Sequence, residues 1–554
     1  METFKTKQMK NVYPHIIIFL ALLGCKNNVK VATAPTDNAR PNIVLILADD
    51  LGYSDLGSYG GEINTPNIDS LAYGGIRMTN FYNSGRCCPT RASLLTGLYA
   101  HQAGIGNMVY GEDLGGAYQG FLNNTSVTLA EVLKSAGYKT LMSGKWHVGH
   151  KEKEQWPTSR GFDRFYGINI HVDSYWKVLE GCDVYLDGKV HIPATEDPIN
   201  DLHPEKDWYT TDVFTDYGIH FLNEEVVNKP ENNEPFFLYM AYNAPHFPLE
   251  APDGDIAKYK GKYMDGWDKL REEKHERMKN LGVIPQNAIL SPSDNVNWDT
   301  LPQIDKENLD FRRAMYAAQI DRLDQNIGRL VQHLKKIGKY ENTLILFLSD
   351  NGCSAERGMF GLNWDKNKMA NYADWKEESG WSVSQGQAWA NVSNVPFRLY
   401  KRYVHQGGTA TPFIAHWPNK INPGQINTHR GHIIDVMATL QDLAKASYPE
   451  TFKGNNITSL EGKTLTPLFE GKKVEDHKYL YWEHIGNRAV RKGDWKLVAV
   501  SESPWELYNL KEDPTELNNL VDEKPELVIE LKRAYFEWAE RADVREWPLP
   551  ANKN

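Results

Sequence analysis

Short apolar runs recur along the chain, and polar or turn-forming residues follow each of them. Continuous runs of this kind are typical of strands that are buried on both faces of a parallel sheet. Segments with apolar residues at helical spacing lie between the runs, and strands that alternate with helices indicate an α/β domain. The predicted strands are 42–48, 78–82, 138–143, 235–242, 343–348 and 412–417, and the predicted helices include 65–72, 87–97, 128–137, 311–337 and 435–443.

The pattern changes near residue 477, where the apolar runs become shorter and closer together. Closely spaced short strands indicate an antiparallel sheet. The runs are 479–484, 488–491, 495–498 and 505–508, and a helix over 525–542 follows them. The sequence therefore predicts a large α/β domain over 41–475 and a smaller α+β subdomain over 476–554.

The first 25 residues are predicted to be an export signal. Lys5, Lys7 and Lys10 form a basic region, and the apolar run 16–23 is too short to span a bilayer. The run ends in Leu-Leu-Gly-Cys, which resembles a bacterial lipobox with Cys25 as the lipidated residue. A plain secretory signal is the alternative. Residues 26–40 are predicted to be a tether, so we expect a periplasmic or outer-membrane lipoprotein of a bacterium that meets the membrane only through its lipid.

Composition narrows the class of function. The 554 residues exceed what one hydrophobic core usually organises, so more than one domain is expected. The formal net charge of −10, without a block of basic residues, argues against a nucleic-acid partner. The five cysteines show neither a zinc-ligand spacing nor a disulfide framework.

The stretch 87–97 reads Cys-Cys-Pro-Thr-Arg-Ala-Ser-Leu-Leu-Thr-Gly and carries the most specific signal. Pro89 suits the first turn of a helix, because its fixed φ and missing N–H cost nothing there. Cys87 would then lie at a helix N-terminus, where backbone N–H groups and the helix dipole favour an anion such as sulfate. An ordinary helix start with a buried cysteine is the alternative.

Other polar groups follow the predicted strands. Asp49 and Asp50 come directly after the first strand, and adjacent buried carboxylates are costly unless a cation neutralises them. A solvated turn is the alternative for this pair. Lys145 and His147 follow a later strand, and their period-2 spacing places them on one side of an extended segment.

These blocks resemble the type I, formylglycine-dependent sulfatases, an arylsulfatase-like family of the alkaline phosphatase superfamily. The family signature is Cys-x-Pro-x-Arg followed by Leu-Leu-Thr-Gly, and Gly-Lys-Trp-His is a second family block. The resemblance spans nearly the whole chain after the signal. By position it implies a catalytic set and a metal-ligand set. The catalytic set is Cys87, Arg91, Lys145, His147, His246 and Lys401. The metal-ligand set is Asp49, Asp50, Cys87, Asp350 and Asn351.

The resemblance also implies a fold and a cofactor. The fold would be an alkaline-phosphatase-like α/β/α sandwich with a large mixed sheet, joined to a small C-terminal domain with a short antiparallel sheet and a helix. Oxygen-only ligands favour Ca²⁺, with Mg²⁺ less so, over zinc. A maturation enzyme would convert Cys87 to formylglycine. Gln406 departs from the family pattern, which has Glu at this position.

By resemblance, the reaction is hydrolysis of a sulfate monoester. One hydroxyl of the hydrated aldehyde attacks sulfur. His246, together with Lys401, protonates the leaving alkoxide. The second hydroxyl, with help from His147, then expels sulfate. Four tryptophans within the loop-like segment 359–395 favour a sulfated polysaccharide or oligosaccharide as substrate, with packing as the other explanation for them: Trp364, Trp375, Trp381 and Trp389. Aryl sulfates remain alternative substrates. A phosphate or phosphonate monoester hydrolase, or a glycan-binding protein without activity, are alternative functions.

Overall fold

The computed structural model describes residues 40–110, 113–171, 173–193, 199, 207–229, 234–361 and 383–549. The predicted signal and all of the predicted tether except Arg40 lie outside these ranges. The chain from Arg40 onward forms one compact unit, so the division at 475/476 stays a prediction. Within the described ranges, no helix has the length and apolar character that crossing a bilayer requires.

The central sheet is mixed, as predicted. Its strand order is β11-β2-β10-β9-β1-β8-β4-β5-β6-β7. Strands β9, β1, β8, β4 and β5 run parallel to one another, whereas β10 and β6 are antiparallel to their neighbours β9 and β5. The ten strands are β1 Asn42–Ala48, β2 Ile76–Met78, β4 Lys139–Lys145, β5 Arg164–Ile168, β6 Val184–Leu186, β7 Lys189–His191, β8 Phe236–Ala241, β9 Thr343–Ser349, β10 Phe413–His416 and β11 Gln425–Asn427.

Helices and two hydrophobic cores cover both faces of this sheet. Val44 and Ile46 of β1 face one core, and Ile43 and Leu45 face the other. This alternation explains the continuous apolar run, because both faces of the strand are buried. The helices are α1 Pro66–Tyr73, α2 Cys87–Thr96, α3 Leu129–Ser135, α4 Thr210–Leu222, α5 Asp253–Ile256, α6 Trp267–Asn280, α7 Gln303–Lys336, α8 Gly386–Ser393, α9 Gln406–Thr409, α10 Asp435–Ala444, α11 Thr466–Phe469 and α12 Pro525–Arg541.

Two local predictions need correction. The single strand predicted over 78–82 is two strands, because Thr79 and Asn80 separate β2 from β3 (Phe81–Tyr82), which pairs with β12 (Gly431–His432) in a different sheet. The segment 359–395 is not entirely loop-like, since α8 lies within it. Trp389 of α8 is fully buried against Trp267 and Trp298, so its role is packing. The other three tryptophans lie outside the described residues.

The C-terminal part is a four-stranded antiparallel sheet in the order β15-β16-β17-β18, with α12 packed on it. Hydrogen bonds join it to the large sheet region: Trp482 Nε1 donates to the Asn83 carbonyl at 2.8 Å, and Arg491 donates to the Tyr82 hydroxyl at 2.6 Å. These strands are β15 Leu480–His484, β16 Asn487–Lys492, β17 Trp495–Ala499 and β18 Glu506–Asn509, and a short hairpin, β13 Thr451–Phe452 with β14 Asn455–Asn456, precedes them.

Candidate active site

The residues singled out in the sequence come together at one edge of the central sheet. Strands β9, β1, β8 and β4 are neighbours, and their carboxyl ends therefore meet at this edge. The register pairs Ala48 of β1 with Ser349 of β9. Asp50 and Asp350, which are 300 positions apart, consequently lie side by side, and the Asp50 N–H donates to Asp350 Oδ1 at 3.3 Å.

Cys87 is the first residue of α2 and is only 2% exposed. The helix ends where the Gly97 N–H donates to the Ser93 carbonyl at 2.9 Å, and Gly97 takes a left-handed φ of 70°. The hydrogen bond from Cys88, together with the charges of Lys401 and Lys145, lowers the pKa of the Cys87 thiol well below its ordinary value. Cys87 thus lies at a helix N-terminus that strongly favours an anion.

Arg91 is completely buried, and its guanidinium contacts the carboxylates of the site. Its guanidinium donates to Asp350 Oδ2 at 2.9 and 3.1 Å, to Asp49 Oδ2 at 3.3 Å and to the Lys145 carbonyl at 2.8 Å. Lys145 Nζ donates to the same Asp49 oxygen at 2.6 Å. The planar fork of arginine suits this role, because it fixes two carboxylates in one geometry.

Asp50 is held in a left-handed conformation with a φ of 66°, which a non-glycine residue rarely adopts. Its carboxylate accepts hydrogen bonds from Lys401 Nζ at 2.7 Å and Asn351 Nδ2 at 2.6 Å, and His246 Nε2 lies 3.5 Å away. Behind the loop, the Tyr316 hydroxyl lies 3.1 Å from the Asp50 carbonyl. The surrounding bonds therefore determine where this carboxylate points.

The chemistry of the acidic cluster suits a cation. Burial, and then the neighbouring charge of Asp49, raises the pKa of Asp350 well above its ordinary value. Burial alone would also raise the pKa of Asp49, but Lys145 and other cations hold it low. Asp49 Oδ1 and Asn351 Oδ1 are buried and have no hydrogen-bond partner among the described residues. Oxygen atoms left in this way fit a hard divalent ion such as Ca²⁺.

Burial lowers the pKa of both histidines and thereby favours their neutral forms. Burial, and then Lys145, lowers the pKa of His147 to about 3, and burial also lowers the pKa of His246. His246 Nδ1 lies 2.6 Å from the Phe247 carbonyl. Because a carbonyl only accepts, Nδ1 carries the proton in the neutral ring, and Nε2 presents a lone pair toward the site.

The structure adds residues that sequence reasoning missed. The Tyr110 hydroxyl lies 2.5 Å from His147 Nε2. Arg86 donates to Glu356 Oε1 at 2.9 Å, and the other oxygen of Glu356 is 3.9 Å from Lys401 Nζ. Lys401, and then Arg86, lowers the pKa of Glu356 to about 2 against the effect of burial. Arg86 directly precedes the Cys87 motif, but neither Tyr110 nor Glu356 has a sequence pattern that marks it.

Gln406, where the family pattern has Glu, is buried next to a carboxylate from the C-terminal part. Its backbone N–H donates to Glu516 Oε2 at 2.9 Å, and the other oxygen of Glu516 pairs with Lys496 Nζ at 2.9 Å. Glu516 and Lys496 are at most 1% exposed. Glu516 thus holds the start of α9, five residues after Lys401.

We expect Glu516→Gln to destabilise the fold by about 3–5 kcal/mol, because it leaves the buried Lys496 without its carboxylate. A thermal melt would show this as a lower Tm. Glu470→Gln is the matched control, since Glu470 pairs with Lys472 on the surface, and it should change stability by less than about 0.5 kcal/mol. Equal melting temperatures for the two variants would contradict the assigned role of Glu516.

Comparison with known proteins agrees with this geometry. Residues 41–446 match the family model described as Sulfatase, and residues 397–539 match the one described as N-sulphoglucosamine sulphohydrolase, C-terminal. The chain belongs to the sulfatase family, whose members hydrolyse sulfate esters.

Individual relatives cover most of the chain. An uncharacterized sulfatase of Schizosaccharomyces pombe is 34% identical over 84% of this chain and 86% of its own length. An arylsulfatase of Klebsiella aerogenes is 32% identical over 78% of this chain and 93% of its own length. The crystal structure of Ps i-CgsB in complex with k-i-k-neocarrahexaose is 26% identical, has a TM-score of 0.64, and covers 90% of this chain and 93% of that one.

Proposed function

We propose that the protein hydrolyses sulfate monoesters, R–O–SO₃⁻, to an alcohol and sulfate, with Cys87 matured to formylglycine and a Ca²⁺ ion beside it. The observation that carries this proposal is the position of Cys87. It begins a helix and lies within the field of Lys145 and Lys401, next to four oxygen-bearing side chains at the sheet edge. Few other chemistries need an anion-binding helix start and a hard-cation site together.

The ion would be held by Asp49, Asp50, Asp350 and Asn351, with the matured residue 87 beside it. When bound, Ca²⁺ polarises a sulfate oxygen and stabilises the charge that develops there. In their ionised forms, the three carboxylates balance the three cationic groups Arg91, Lys145 and Lys401. A divalent ion therefore gives the site a net positive charge, which favours a sulfate ester over a neutral ester.

The side chains of the protein supply the nucleophile, the stabilising charges and the proton transfers. Formylglycine supplies, as its hydrate, two hydroxyls on one carbon, so that one can attack and the other can assist release. Lys145 and Lys401 place positive charge around the anion. Lys401 lies beside Asp50 and can deliver a proton to the leaving oxygen. His246 Nε2 lies on the same side and can do so once its lone pair has taken up a proton. The neutral His147 is suited to accept a proton from the second hydroxyl.

The substrate we propose is a sulfated polysaccharide or oligosaccharide. A relative of known structure binds an oligosaccharide, and the ionised Glu356 beside Lys401 is placed to accept hydrogen bonds from sugar hydroxyls. The test is a desulfation assay across defined sulfated glycans, an aryl sulfate, and matched phosphate and phosphonate esters. Turnover of a sulfated glycan well above the aryl sulfate supports the proposal. Faster hydrolysis of the phosphonate than of any sulfate would replace it with a phosphonate hydrolase.

The contact between the Tyr316 hydroxyl and the Asp50 carbonyl allows a test of the ion site that does not depend on turnover. We expect Tyr316→Phe to weaken Ca²⁺ binding by about 10-fold, because it removes the hydroxyl that lies behind the strained Asp50 backbone. Calcium titration of chelated protein measures this. Tyr242→Phe is the matched control, since that buried hydroxyl bonds Thr215 instead, at 2.8 Å. Identical affinities in the two variants would argue against this support.

We also propose that the protein is exported and anchored by a lipid on Cys25, and that a formylglycine-generating enzyme acts on it. The support is the basic region, the short apolar run and the Leu-Leu-Gly-Cys sequence. We expect Cys25→Ala to move the protein from the membrane fraction to the soluble fraction after cell lysis. Cys182→Ala, expressed in parallel, should stay membrane-bound. Membrane association that is unchanged in Cys25→Ala would reject the lipid anchor on Cys25.

A further inference from the structure

A second group of metal-binding side chains lies in the segment between β5 and β6. His171 Nε2 is 2.8 Å from Asp173 Oδ1, and Cys182 Sγ is 2.9 Å from Asp173 Oδ2. One donor atom of each residue lies within 4.8 Å of the other two. Cys182 is 8% exposed, and the side chains of His171 and Asp173 are 19% and 17% exposed. The donors therefore converge near the surface, where a small ion can reach them.

The kinds of donor select the ion. An imidazole nitrogen, a carboxylate oxygen and a thiol sulfur form a set that Zn²⁺ accepts in tetrahedral sites. Ca²⁺ and Mg²⁺ prefer oxygen alone. The set therefore differs in chemistry from the oxygen-only cluster at Asp49 and Asp50, and the two positions would not compete for the same metal.

Both ends of the segment are held in place. The Tyr175 N–H and the Ser174 hydroxyl donate to Glu250 Oε2 at 2.6 and 2.9 Å, close to Asp173. Cys182 lies two residues before β6, which pairs with β5 in the central sheet. A site supported from both sides in this way needs little ordering when an ion binds.

A second observation concerns the other nitrogen of His171. Its Nδ1 lies 2.6 Å from the Tyr110 hydroxyl, and histidines that bind metals almost always have their second nitrogen hydrogen-bonded. The same hydroxyl lies 2.5 Å from His147 Nε2. The cluster is thereby connected to the candidate active site through one tyrosine.

We propose that His171, Asp173 and Cys182 form a zinc-type metal site that holds these three side chains together and fixes Tyr110 against His147. The ligands are Nε2, a carboxylate oxygen and Sγ, and a water molecule completes the tetrahedron. Binding replaces the proton of the thiol with the metal and releases that proton to solvent. The proposal does not rest on the sulfatase reaction, so each can fail without the other.

The test must separate this site from Cys87, Cys88 and His147, whose donor atoms also lie within 4.8 Å of one another. The full chain is kept in saturating Ca²⁺ and titrated with Co²⁺. We expect one equivalent to bind with a sulfur-to-cobalt charge-transfer band, and Zn²⁺ to displace it. Cys87→Ala should keep the band, whereas Cys182→Ala and His171→Ala should lose it. Melting curves in the presence of a chelator check that these variants are folded.

Several results would overturn the proposal. Loss of the band in Cys87→Ala, or its survival in Cys182→Ala, would place the metal at α2 instead. No binding of either metal at micromolar concentration would leave a purely hydrogen-bonded triad. Tyr110→Phe should keep the band and weaken Co²⁺ binding by about 10-fold, because it removes the hydrogen bond to the ligating histidine. Unchanged affinity in that variant would reject the support that Tyr110 gives to the ligating His171, and with it the link between the metal site and the candidate active site.

Discussion

Cys87→Ser should abolish multiple turnover while leaving the protein folded and still able to accept one sulfate group. The hydrate of formylglycine has two hydroxyls, and serine has one. A sulfate ester formed on serine has no neighbouring hydroxyl to drive its release, so it should accumulate. Incubation with a reactive aryl sulfate, followed by peptide mass spectrometry, would detect the sulfated serine at position 87. Serine is close in size to cysteine, so the buried position at the start of α2 should tolerate it.

Two further variants serve as controls for this experiment. Cys87→Ala should show neither turnover nor labelling. Cys88→Ser should stay active and should not be sulfated at position 88. The wild-type peptide should contain a residue about 18 Da lighter than cysteine, from the loss of sulfur and two hydrogens and the gain of oxygen. Wild-type turnover by Cys87→Ala would reject the nucleophile altogether.

Removal of divalent metal should lower turnover by about 100-fold or more, and added Ca²⁺ should restore it. The reason is electrostatic, because without the ion the site loses two positive charges and the group that would polarise the sulfate oxygen. EGTA treatment, followed by an activity assay and a far-UV spectrum, would measure both effects. Mg²⁺ should restore less activity than Ca²⁺.

Asp350→Asn tests the same site by mutation. Alanine at this position would remove both hydrogen bonds that the buried Arg91 donates to Asp350, whereas the asparagine carbonyl can still accept one of them. We expect turnover to be lost and the fold to survive. Asp324→Asn is the matched control, because Asp324 is also a buried aspartate, but it accepts from the backbone of Asn67 and Ile68. Full activity of metal-free wild-type protein, or equal activity of the two variants, would exclude a catalytic ion.

The strands of the central sheet could be predicted because local composition determines them. The run 42–48 is apolar on both faces since both faces are covered, and the observed strand has the same bounds. Thr128 and Glu131 likewise form the capping box that their spacing predicts. The separation of β2 from β3 could not be predicted, because it depends on which distant strands, β10 and β12, are available as partners.

Some features of the candidate site could likewise be predicted from the sequence, and others could not. The clustering of Asp50 with Asp350 follows from a general rule, namely that parallel strands present their carboxyl ends at one edge. Tyr110 and Glu356 reach the site from loops, where no periodicity indicates the direction of a side chain. Glu516 reaches Gln406 from the C-terminal part, and a contact between positions 110 residues apart leaves no trace in a single sequence. The zinc-type cluster has the same origin, since only the folded loop brings Cys182 to Asp173.

If Cys87 is oxidised to formylglycine as proposed, its burial limits when the oxidation can take place. An oxidising enzyme needs access to the thiol, and in the folded protein Cys87 is only 2% exposed and feels the charge of Lys401, a residue far later in the chain. Residues 87–96 leave the ribosome long before β9 can pair with β1 and before Lys401 exists. The opportunity for oxidation therefore lies between synthesis of α2 and closure of the sheet. A mutation that hastens or slows that closure would change the matured fraction of the protein without touching the reaction itself.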